Sequence, residues 1–142
     1  MNLSSLLRKK LKDDDILEIL EFFEIEVVYD FDRLHENLED KYWAPAKSVG
    51  FQLCFNEGQV LKNIFCYIVA NEGFSPISND MIGVPVYKTY EAAEQACKTA
   101  GVKYSASPRV GWWIRIEAAN LWSHYQFKDG ALVLLTLSVP KP

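Results

Sequence analysis

Apolar positions along this chain change period several times, and each change marks an element. Ile16, Leu17, Ile19, Leu20 and Phe23 recur at helical spacing, with Glu18, Glu21 and Glu24 between them. This predicts an amphipathic helix with Asp13 or Asp14 at its N-cap, where acidic residues suit the positive end of the dipole. Leu3, Leu6 and Leu7 predict a shorter helix over 3–10. From Gly50 the period becomes two: Phe51, Leu53 and Phe55 alternate with Gln52, Cys54 and Asn56. Asn56-Glu57-Gly58-Gln59 supplies a turn, and an apolar run over 60–70 returns as the second strand of a hairpin. A Gly- and Pro-containing loop leads to a helix over 89–100, with Thr89 as N-cap and Gly101 as C-terminal cap.

The last third reads as a meander over 111–117, 121–128 and 131–139. Asp129-Gly130 fits a type I′ turn, which requires positive φ at both central residues. That turn places Phe127 opposite Leu132 and Tyr125 opposite Leu134. Residues 25–32 alternate imperfectly and form a weak strand candidate. Residues 33–48 are mostly polar, and Pro45 argues for a loop around Trp43 to Ala46. The expected fold is α+β: an antiparallel sheet of about five to six strands, hairpin plus C-terminal meander, with N-terminal helices and one central helix packed on it. One domain over 1–142 is expected, made of a helical, acidic segment 1–48, a hairpin 49–70, a loop and helix 71–101, and the meander 111–139.

Charge changes this picture more than composition does. Residues 13–40 carry twelve acids against Arg33 alone, a local charge of −11, while the rest of the chain is +7. An asymmetry of this kind bears on partners rather than on fold. Tyr29, Phe31, Tyr42 and Trp43 lie in or beside the acidic run. Aromatic anchors ringed by charge are a common make-up of strong protein interfaces. The expected contact residues are Asp30, Asp32, Glu36, Glu39 and Asp40 for steering, with Tyr42 and Trp43 as anchors.

Motifs for chemistry are missing. His35 and His124 are the two histidines, and no nucleophile elbow or Cys–His pair accompanies them. Cys54, Cys66 and Cys97 lack metal-ligand spacing and read as reduced core cysteines. No phosphate-binding loop is present. Trp112, Trp113, Trp122 and Tyr125 read as core aromatics rather than base-stacking residues, because the basic residues are scattered singly. The expectation is a protein with no catalytic residues, cofactor or metal, and no nucleic-acid or membrane partner. Neither a spanning segment nor a secretory signal is seen, so a cytoplasmic location is expected.

Four pieces together resemble bacterial immunity proteins of polymorphic or contact-dependent growth-inhibition toxin systems. They are the helical opening from Leu6-Leu7 to Asp13-Asp14-Asp15-Ile16-Leu17-Glu18-Ile19-Leu20, the hairpin VGFQLCFNEGQVLKNIFCYI, the segment GFSPISNDMIGVPVYKTYEAAEQACKTAG, and the closing GWWIRIEAANLWSHYQFKDGALVLLTLSV. Pro85 is followed by Val86-Tyr87 rather than by a glycine, a departure from that pattern. The resemblance implies a non-enzymatic inhibitor that binds one cognate toxin domain. The acidic segment makes a basic toxin the expected partner, with a nuclease the expected kind. The alternatives are a small-ligand-binding or regulatory domain with a pocket between sheet and helix, and a small hydrolase.

Overall fold

The computed structural model describes residues 2–31 and 38–141. Among these residues eight strands are present: β1 (Val28–Asp30), β2 (Lys41–Ala46), β3 (Phe51–Phe55), β4 (Leu61–Tyr67), β5 (Tyr104–Ala106), β6 (Trp113–Glu117), β7 (Trp122–Lys128) and β8 (Ala131–Ser138). Two α-helices accompany them, α1 (Asp14–Phe22) and α2 (Tyr90–Ala100), with single 3₁₀ turns at Leu3–Leu6 and Asn79–Met81. The strands form one antiparallel sheet in the order β1-β2-β3-β4-β8-β7-β6-β5. Two meanders, β2-β3-β4 and β8-β7-β6, therefore meet where β4 pairs with β8.

This overturns the expected five to six strands with several helices. The structure is mostly an eight-stranded antiparallel sheet, and its helices are few and short. Three physical reasons account for the difference. Leu3, Leu6 and Leu7 are buried, but only Leu3–Leu6 are helical, as a single 3₁₀ turn that ends before Leu7, and Lys10 then bridges to Val60. Pro45, a loop marker in the sequence, lies within β2 opposite Gln52. β1 ends at the Val28–Trp43 pair, so Pro45 lies where β2 has no outer neighbour among the described residues. That is a sheet position which tolerates a residue lacking an N–H. β5 has three residues, too few for alternation to be read, while β1 occupies three residues of the weak 25–32 candidate.

Side chains alternate across each strand, so the pairings sort the sheet into two faces. One face carries Ala44, Leu53, Ile64, Leu137, Ser123 and Ile116 in one continuous cross-strand row. The next row carries Ala46, Phe51, Cys66, Leu135, Tyr125 and Ile114. Nearly all of these are buried. The 3₁₀ turn at Leu3–Leu6, α1, Ile77, Ile82 and α2 cover this face. Phe23 meets Phe51 edge-on at 5.8 Å, and Tyr90 meets Phe127 at 6.2 Å. Tyr125 Oη donates to the Pro85 carbonyl at 2.8 Å, which ties the preceding loop to the sheet.

Local signals explain the helices. Ile16 and Ile19 of α1 are buried while Leu17 is 45% exposed, a narrower apolar face than its sequence pattern indicates. The Asp13 carbonyl accepts from Ile16 and Leu17 N–H, but its carboxylate accepts from Lys10 N–H at 2.7 Å instead of capping α1. Thr89 does cap α2: its hydroxyl accepts from Ala92 N–H at 3.2 Å. Gly101 ends α2 at φ +68°. Thr89→Ala is expected to cost about 1 kcal/mol in a urea denaturation curve, with an unchanged slope.

In the β7–β8 hairpin, Asp129 and Gly130 have φ of +52° and +82°. Phe127 pairs with Leu132 as expected, but Tyr125 pairs with Leu135 rather than Leu134. An irregularity between Gln126 and Phe127 shifts the register by one.

Candidate partner-binding surface

The acidic segment ends at the β1–β2 edge of the sheet. Across this pair Val28 faces Trp43, Tyr29 faces Tyr42 and Asp30 faces Lys41. Val27, Val28, Tyr29 and Phe31 are 37%, 54%, 47% and 47% exposed. The Tyr29 ring stacks on Tyr42 at 4.8 Å and on Phe31 at 5.8 Å. Tyr29 Oη donates to Asp40 Oδ2 at 2.5 Å. That bond to a carboxylate, aided by partial desolvation, pushes the Tyr29 phenol up to about 12. Glu39 Oε1 accepts from Glu57 N–H at 3.0 Å, which ties this loop to the β3–β4 turn.

The expected contact residues are thus only partly brought together. Asp30 is exposed on β1, and Glu39 and Asp40 enter hydrogen bonds that shape the edge. Asp32 and Glu36 lie outside the described residues. Tyr42 and Trp43 are consecutive in β2, so they point to opposite faces. Tyr42 joins the Tyr29 stack, while Trp43 lies on the other face against Phe65 at 5.9 Å. The exposed anchors at this edge are Val28 and Tyr29. Their signal in the sequence was weak, because a three-residue strand shows no period. The exposed acids of α1, among them Asp14, Asp15, Glu18 and Glu21, extend the negative charge over the helical layer.

Sequence reasoning missed a second surface, the sheet face that no helix covers among the described residues. One row across it reads Gln52, Phe65, Thr136, His124, Arg115 and Ser105. Trp113 packs on His124 at 5.0 Å, and the Arg115 guanidinium lies over Trp122 at 4.2 Å. Trp113 and Trp122 are therefore half-buried residues of an open face, and Trp112 is 56% exposed with Arg109 over its ring. Of the four aromatics read as core, Tyr125 alone is fully buried. Facing was illegible in the meander because both faces of β6 and β7 carry large side chains.

Two groups on this face have displaced titrations. Ser105 Oγ at 2.6 Å and Arg115 Nη2 at 2.8 Å both donate to Glu117 Oε2, and together they hold the Glu117 carboxyl below its ordinary range. Burial, then the Arg115 charge, lowers His124. Both folded values are depressed, so both contributions are complete above the ordinary values and are lost as pH falls. Melting temperature is expected to drop first as pH falls below 6.5, the ordinary histidine value, and again below 4.5, that of glutamate. His124→Gln should remove the first step and leave the second.

The three cysteines are free and buried, and burial raises each thiol, Cys66 to about 12. They are protonated at neutral pH and so poor nucleophiles. Among the described residues no group of three His, Cys, Asp or Glu side chains is placed to hold a metal. No helix of the described residues is long and apolar enough to cross a membrane. No protein-family model, no curated protein and no solved structure matches this chain.

Proposed function

We propose that this chain is a non-enzymatic immunity protein that binds and neutralises a cognate toxin domain in the cytoplasm of the cell that makes it. The carrying observation is the β1–β2 edge, where Val28 and Tyr29 are about half exposed and acids surround them. Soluble proteins usually blunt such an edge, because an exposed apolar strand pairs with other chains. Here no described residue pairs with the outer side of β1, and the edge is ringed by negative charge, which suits a basic partner and opposes self-association. A nuclease is the toxin class that best fits, because a domain built to hold nucleic acid presents a basic surface.

Co-expression with the protein encoded beside this one tests the reading. The two are expected to co-purify, and this chain is expected to restore growth to cells expressing the toxin. A neighbouring protein that neither binds nor harms the cell would overturn it.

A small-ligand reading draws on one observation. A cleft of about 340 Å³ at the end of the open face is lined by Lys41, Lys62, Lys141 and Asn63, with Glu39 as its one acid, so three ammonium groups stand against one carboxylate. It suits an anion, and a thermal shift with inorganic phosphate in the absence of any protein partner would favour it.

A further inference from the structure

We infer that β1 accepts an extended segment of the partner as an added strand, and that this segment reads basic–aromatic–apolar along its chain. The inference rests on the toxin-binding reading and specifies its geometry. Among the described residues β1 is the terminal strand of the sheet, paired on one side only, with β2. Main-chain hydrogen bonds to such an edge supply affinity, and side chains of alternating direction supply specificity.

The rows of the sheet state what the added strand should carry. One row runs Phe55, Tyr42, Tyr29, an aromatic ladder that ends half exposed. An aromatic residue opposite Tyr29 continues it, and cross-strand aromatic pairs are among the favourable ones. A second row runs Cys54, Trp43, Val28 and ends on a β-branched residue 54% exposed, which an apolar residue would cover. The third pairs Lys41 with Asp30, so the sign alternates along the row and a lysine or arginine comes next. Antiparallel addition reverses the order of the partner's residues to basic, aromatic, apolar. A second copy of this chain fits poorly, because pairing β1 with itself brings Glu24, Glu26, Asp30, Glu39 and Asp40 of two copies together.

The probe is a capped peptide with Lys-Tyr-Val at its centre, compared with its Glu-Tyr-Val counterpart and with a form N-methylated on the central backbone. Hydrogen exchange on the full chain is expected to slow at Val28 to Asp30 with the lysine peptide. Affinity should fall about tenfold with the glutamate peptide, and should also fall with the N-methylated one. Asp30→Lys, at an exposed position, should reverse the preference between lysine and glutamate peptides. Equal affinity for all three peptides, slowing confined to the open face, or β1 protection from self-association without peptide would each overturn the inference. Co-purification of the toxin alongside any of those results leaves the functional reading standing and removes strand addition alone. Peptide protection of β1 without toxin binding does the reverse.

Discussion

Replacing Gly50 by alanine is expected to destabilise the protein by about 3–5 kcal/mol in urea denaturation, enough to leave much of it unfolded. Gly50 has φ +105°, a conformation that side chains rarely adopt. A Cβ there would lie 2.3 Å from the Ser75 carbonyl oxygen and 2.7 Å from Ile77 N, both backbone atoms. That backbone cannot withdraw cheaply, because Ser75 N–H donates to the Lys47 carbonyl and Ile77 N–H to the Tyr67 carbonyl, each at 2.8 Å. Gly50 joins β2 to β3, so the loss reaches the strand that holds β1 in place. Gly130→Ala is the control. Its φ is +82°, but an added Cβ meets nothing within 4 Å, so conformational strain of about 1–2 kcal/mol is all that is expected. Equal losses at the two positions would show that the close approach to segment 75–77 is unimportant.

The second large effect concerns association. Asp30→Lys, Asp32→Lys and Glu36→Lys together change the charge of the acidic segment by six units. Glu39 and Asp40 are left alone because they hold Glu57 N–H and the Tyr29 hydroxyl. Steering by clustered charge typically contributes 10- to 1,000-fold to an association rate, so a fall of about 10- to 100-fold is expected at low salt. The difference between variant and wild type should shrink as salt rises, because exposed charges are screened over about 8 Å at physiological ionic strength. The dissociation rate should change much less. Stopped-flow association with the toxin domain across a salt series reads both. An association rate unaffected by the triple reversal would remove the electrostatic part of the account.

How much of this was legible beforehand varied with the physics of each segment. The 51–67 hairpin, α2 and the β7–β8 turn announce themselves because period, cap and turn residues agree. Asp129-Gly130 was readable for that reason, while the one-residue shift beyond it was not, since nothing in Gln126-Phe127 encodes a bulge. β5 was hidden by its brevity, and β2 by Pro45, whose tolerance depends on where its neighbour strand ends; of the weak candidate over 25–32, Val28–Asp30 is strand. For the candidate site, composition located the acids, because charge is additive along a chain. Facing is a property of paired strands, so Tyr42 and Trp43 appeared as joint anchors although the pleat separates them. The open face with Trp113, His124 and Arg115 needed the order of strands before its residues could be seen as neighbours.

Hydrogen exchange on the complex with the toxin domain tests the central claim most directly. Slowed exchange is expected at residues 27–31 and 38–43, with the open-face residues of β6, β7 and β8 little changed. Slowing concentrated on those three strands, with the β1–β2 edge exchanging as it does in the free protein, would contradict the account.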